Sequence, residues 1–166
     1  NTWKNRIIQM KINDLYEILN EEGIYYINHK LVSTRGAIAC FRGITAIVVD
    51  DTQIDCDASE ITVIIQELGH YFSDSYYRGN SSFDLIENME YKADVIAWLK
   101  FFPYKKIKFL RKSGLKSASR IASYFNVEPD YMARCLNFYY KVSNGFLDDD
   151  LFFYGDDDKR KRWNFN

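Results

Sequence analysis

Apolar and polar positions along this chain keep two different periods, and the change between them marks out the elements. From residue 4 to residue 20, Ile7, Ile8, Ile12, Leu15, Ile18 and Leu19 recur at helical spacing with charged residues between them. Glu21-Glu22-Gly23 closes the run, which predicts an amphipathic helix. Residues 24–27 and 36–41 then read as short strands, and Gly43 turns the chain. Residues 44–50 make the best strand of all, rich in β-branched side chains and bounded by turn formers. Helical spacing returns at Asp57-Ala58-Ser59-Glu60, where Asp or Ser can cap exposed amides and Glu60 complements the positive helix end. Ile61, Ile64, Ile65 and Leu68 carry that helix to about Ser73. Residues 74–84 are polar and predict a loop, 85–101 a second helix ending before Pro103, and 107–113 a short third one. Residues 117–125 and 131–142, joined through Glu128-Pro129-Asp130, form a helix-turn-helix pattern. No internal repeat is visible.

An early cluster of strands followed by consecutive helices indicates an α+β fold. The 166 residues are enough for one core. We divide them into a folding unit over 1–144 and a tail over 145–166 that mixes acidic triplets, a Lys159–Arg162 basic run and aromatics.

Composition narrows the partners. With 22 basic and 23 acidic residues the formal net charge is −1, so no global field draws the chain to nucleic acid or to an anionic membrane. Aromatics reach 17%, which hints at adhesive surface in addition to core. Cys40, Cys56 and Cys135 are odd in number and widely separated, which suggests neither a disulfide framework nor a cysteine zinc site and fits a reducing compartment. No leader pattern and no apolar run of spanning length is present, so a cytoplasmic location is expected. The sequence opens at Asn1 without methionine, and the native chain is expected to extend upstream.

The chemistry concentrates in two short runs, Gln66-Glu67-Leu68-Gly69-His70 and Glu90-Tyr91-Lys92-Ala93-Asp94. On a helix of 3.6 residues per turn, positions 66 and 70 project from one face a turn apart, as two ligands of one metal must. In the HExxH motif both outer positions are histidines and the glutamate between them is the general base of a metallopeptidase. Here the first is Gln66. Glu67 occupies the base position, where it would accept a proton from a water acidified by the metal and pass it to the departing amine.

Glu90 lies at the spacing from His70 at which thermolysin-like enzymes take a third ligand from a neighbouring helix, and Asp94 where they keep a carboxylate behind a ligand. The wider stretch resembles the ImmA/IrrE family of metallopeptidases over most of the chain. The resemblance rests on Glu-Leu-Gly-His-Tyr at 67–71, on Glu90, Ala93, Asp94 and Ala97 with Pro103 beyond, on the Ile121–Val127 run, and on Arg134-Cys135-Leu136. It implies a zincin-like fold and a zinc peptidase, commonly encoded on bacterial mobile elements or in stress responses, that cuts a helix-turn-helix repressor. It further implies His70 and Glu90 as metal ligands, Gln66 as the altered ligand position, Glu67 as catalytic base and Asp94 behind a ligand. In zincin-like enzymes an edge strand beside the motif helix pairs with extended substrate, and Ile44, Ala46 and Val48 are the expected substrate strand.

Each residue also has a plainer reading. His70 alone would be an ordinary hydrogen-bonded histidine, Glu67 a solvent-facing helix residue, and Glu87 competes with Glu90 from one turn earlier. Gln66 admits three accounts. It is decay into a non-catalytic protein that keeps the partner groove, deliberate replacement of a histidine, or a variant site completed by another acid such as Asp74. A carboxamide is a weak zinc donor, so binding should be weak or absent. Two functions follow: a metalloendopeptidase acting on a regulatory protein, or a pseudopeptidase that holds the same partner without cutting it. The 117–142 pattern is expected to be packing and not a DNA reader, because its expected recognition segment, Pro129 to Tyr140, offers only Arg134 as a base. Phe152, Phe153, Tyr154 and Trp163 could form a partner-binding strip, and His29 is expected to be structural or exposed.

Overall fold

The computed structural model describes residues 10–77 and 81–143. The tail from 144 onward, with its aromatic strip, and the predicted helical turns before residue 10 lie outside them. The elements are α1 (Ile12–Glu22), β1 (Ile24–Asn28), β2 (Gly36–Phe41), β3 (Ile44–Val49), α2 (Asp57–Ser73), α3 (Phe83–Phe101), α4 (Tyr104–Lys112), α5 (Ala118–Phe125) and α6 (Pro129–Val142). No helix among the described residues is long and apolar enough to cross a membrane.

The fold is α+β, with a three-stranded mixed sheet in the order β1-β3-β2. β1 runs parallel to β3, and β2 runs antiparallel to it with Gly36 opposite Val49 and Phe41 opposite Ile44. Arg42 and Gly43 make the β2–β3 turn in the left-handed region, with φ of 51° and 79°. This topology corrects one expectation. Ile44, Ala46 and Val48 sit on the central strand, paired on both sides along its length, so they cannot accept an added strand. The branched residues that made 44–50 the clearest strand are there because a central strand packs Ile47 and Val49 against helices. The free edge nearest α2 belongs to β2.

One core joins sheet and helices. α2 is apolar almost all round, with Ile61, Ile64, Ile65 and Leu68 fully buried between the sheet and α3. Two glycines bring the layers close. A Cβ on Gly69 would stand 2.5 Å from the Ala93 carbonyl of α3, and one on Gly36 would collide with Val63 of α2. Phe101, Phe102, Phe125, Tyr131 and Leu136 seal α3 onto the α5–α6 pair, whose turn is made by Asn126 at φ 56°. The helix-turn-helix segment contributes to this core: Ile121, Ala122, Met132 and Cys135 are buried in it.

Candidate functional site

α2 and α3 cross where their glycine and alanine faces touch, and that contact places the chemistry. Gly69 and Ala93 meet backbone to side, so the next residue on α2, His70, and the residue one turn earlier on α3, Glu90, face each other. His70 Nε2 lies 3.3 Å from Glu90 Oε1. The imidazole is buried, and its Nδ1 is 2.8 Å from the Ser75 carbonyl. A carbonyl can only accept, so Nδ1 carries the proton and Nε2 is the nitrogen offered to the site. Burial pulls the His70 pKa down. The Glu90 hydrogen bond, the Ser75 carbonyl and the charges of Glu90 and Glu67 outweigh it, and the net shift is upward. Glu90 is held below the usual carboxylate range by the His70 hydrogen bond, against its own desolvation.

Glu67 reaches the same cleft from the turn before His70. Its carboxyl is pushed up to about 7 by burial and by Glu90, with His70 and the Ile38 amide pulling the other way. The Ile38 bond is informative about the sheet. Asp50 N–H donates to the Arg35 carbonyl at 2.9 Å, so Arg35, Ala37 and Ala39 face β3, and Gly36, Ile38 and Cys40 turn their backbone groups outward. One outward amide is spent on Glu67. The next, at Cys40, lies on an exposed stretch of the same edge.

Gln66 occupies the position one turn before His70, half-buried, and its side chain hydrogen-bonds to Asp94. Asp94 is raised to about 6, chiefly by desolvation, and takes a 2.6 Å bond from Arg134 of α6. Asp94 therefore stands behind position 66, while the acceptor behind His70 is the Ser75 carbonyl. Glu87 is exposed, and Asp74, also exposed, caps the C-terminus of α2. His29 is exposed as well.

Three participants were not legible in the sequence. The Tyr77 hydroxyl donates to Glu90 Oε1 at 2.5 Å, and its ring meets the His70 ring edge-on at 5.9 Å. Ser75 and Ile38 act through backbone groups. Loop and main-chain contacts carry no spacing signature, so of the residues around the site only Arg134, the one base between Pro129 and Tyr140, could have been flagged.

Two strong donors lie at a separation suited to one ion, since ligands about 2.0–2.1 Å from a tetrahedral zinc stand roughly 3.3–3.4 Å apart. Among the described residues no group of three His, Cys, Asp or Glu side chains that could hold a metal ion gathers. The residues fit zinc at two of three protein positions. No family model, curated protein or solved structure matches the chain.

Proposed function

We propose that this chain is a zincin-like protein of the ImmA/IrrE type that takes an extended segment of a regulatory protein, such as a helix-turn-helix repressor, into the cleft between β2 and α2–α3 and hydrolyses a peptide bond there. The observation that carries the reading is the convergence of His70 and Glu90 from separate helices at 3.3 Å, with Glu67 beside them. A zinc ion held by His70 and Glu90, with Gln66 as a weak third donor, would polarise the scissile carbonyl and acidify water. Glu67 suits the base: a buried carboxyl near 7 is ionised often enough to accept a proton at neutral pH and acidic enough to return it to a leaving amine. The outward carbonyl of Ile38 and the outward amide of Cys40 can align a substrate strand next to Glu67 by strand addition. The free thiols of Cys40, Cys56 and Cys135 fit the cytoplasm.

A second reading has its own support. The Gln66 side chain is already engaged with Asp94, which favours a pseudopeptidase that holds its partner in the same groove without cutting it. One titration separates them. Calorimetric zinc binding to the wild-type chain and to Gln66→His, at one fixed pH because a ligating imidazole must give up its proton to the buffer, should show weak binding that the substitution strengthens by at least about 100-fold. Stoichiometric zinc in the wild type after dialysis favours the peptidase, and zinc only in the variant favours the holder. A metal-free Gln66→His protein with a native circular dichroism spectrum would defeat the ligand assignment itself.

A further inference from the structure

The net charge of −1 hides a separation. Between Asp94 and Glu128 the sequence has eight Lys or Arg and not one Asp or Glu, which leaves 14 basic against 23 acidic residues elsewhere, a balance of −9. The structure sets part of this charge along one face of α4. Lys105, Lys108 and Lys112 are exposed at three- and four-residue steps on α4, a line of about 10 Å at 1.5 Å per residue. Lys116 extends it in the exposed turn before α5. The opposite side of α4 buries Ile107 and Leu110 in the core, so the lysine face cannot turn inward. No ion pair among the described residues engages these four lysines.

Aromatic rings sit within the charge. Phe109 is 61% exposed between Lys108 and Lys112. The Lys106 ammonium lies 5.6 Å from its ring centroid and 5.1 Å from that of Tyr124 on α5, which joins the two helices into one patch. We propose that the α4–α5 face binds single-stranded nucleic acid, the lysines following phosphates and Phe109 and Tyr124 offering rings to unpaired bases. Contacts of lysine point charges to phosphates and of ring faces to bases are indifferent to sequence. An anionic membrane fits less well, because a single exposed ring is too little apolar surface to insert. The inference is independent of the α2–α3 cleft. It locates the basic surface upstream of the segment whose only base, Arg134, is committed to Asp94.

The test is fluorescence anisotropy of a labelled 20-nucleotide mixed-sequence DNA strand with the full chain at 50 and 200 mM salt. Four phosphate contacts on a single strand give a log–log salt slope of about −2.8, an affinity loss of roughly 50-fold over that range. Lys105→Glu/Lys108→Glu/Lys112→Glu should weaken binding at least tenfold at 50 mM and flatten the slope to about −0.7. Lys→Gln at the same three positions repeats the test should charge reversal disturb folding. Alanines at 159–162 should leave binding in place. The proposal is overturned if the triple variants bind as the wild type does, if the 159–162 variant alone loses binding, or if a duplex of the same sequence binds more tightly. It is equally overturned if phosphatidylserine vesicles or polyglutamate are bound while the strand is not.

Discussion

Gly69→Ala tests whether the α2–α3 contact sets the site. The added Cβ would lie 2.5 Å from the Ala93 carbonyl oxygen and 3.1 Å from the Ala97 Cβ, where ordinary contact begins at 3.4 Å. The carbonyl belongs to helix backbone and cannot rotate away, so α3 must retreat by about 0.9 Å, an overpacking change that costs about 1–3 kcal/mol. Alanine recovers about 1 kcal/mol of helix propensity over glycine, which leaves a net loss of up to about 2 kcal/mol. Glu90 rides on α3 one turn before Ala93, so its distance from His70 should open from 3.3 Å to about 4 Å, beyond hydrogen-bond range. Loss of that bond removes the leading upward influence on His70, and its pKa should fall. Urea denaturation followed by tryptophan fluorescence reads the first quantity. An NMR titration of the imidazole reads the second, with only His29 to distinguish from His70. A variant as stable as the wild type, with an unmoved His70 titration, would refute the argument that this glycine holds the two helices in register.

Other outcomes follow from the contacts that hold β2 and α6 to α2. Arg35 of the segment before β2 bonds Glu128 at the start of α6, and that hydrogen bond, opposed by desolvation, lowers the Glu128 pKa. A carboxyl depressed in the folded state contributes stability that is present above its unfolded pKa and lost as pH falls through the folded one. Glu128→Gln should therefore be less stable than the wild type at pH 7, and the two should converge in acid denaturation profiles; a constant gap down to pH 2 would count against the pairing. Thr62→Val preserves shape but leaves the Glu128 amide, 2.9 Å from the Thr62 hydroxyl, without an acceptor. A loss of about 1–3 kcal/mol by urea denaturation is expected, and a neutral result would show that solvent satisfies the amide.

The sequence by itself determined what is local. Periodicity gave strands at 24–27, 36–41 and 44–50, within a residue of the observed spans, and helices from Asp57 onward within about three residues, because burial on one side of a helix or strand is written in the order of side chains. Helical spacing likewise put Gln66 and His70 on one face, and Glu90 in place of Glu87 was a matter of turn geometry. Tertiary structure decided everything that depends on which surfaces meet. Strand order was one such matter: 44–49 looks like any good strand, and only its pairing on both sides moves the free edge to β2. The acceptor behind His70 was another, since Ser75 reaches it through a carbonyl that every residue possesses. Tyr77 and Arg134 arrive from a loop and a distant helix, at separations that no local pattern encodes. The placing of charge was a third, because the potential at a surface depends on where lysines stand in space and not on their total along the chain.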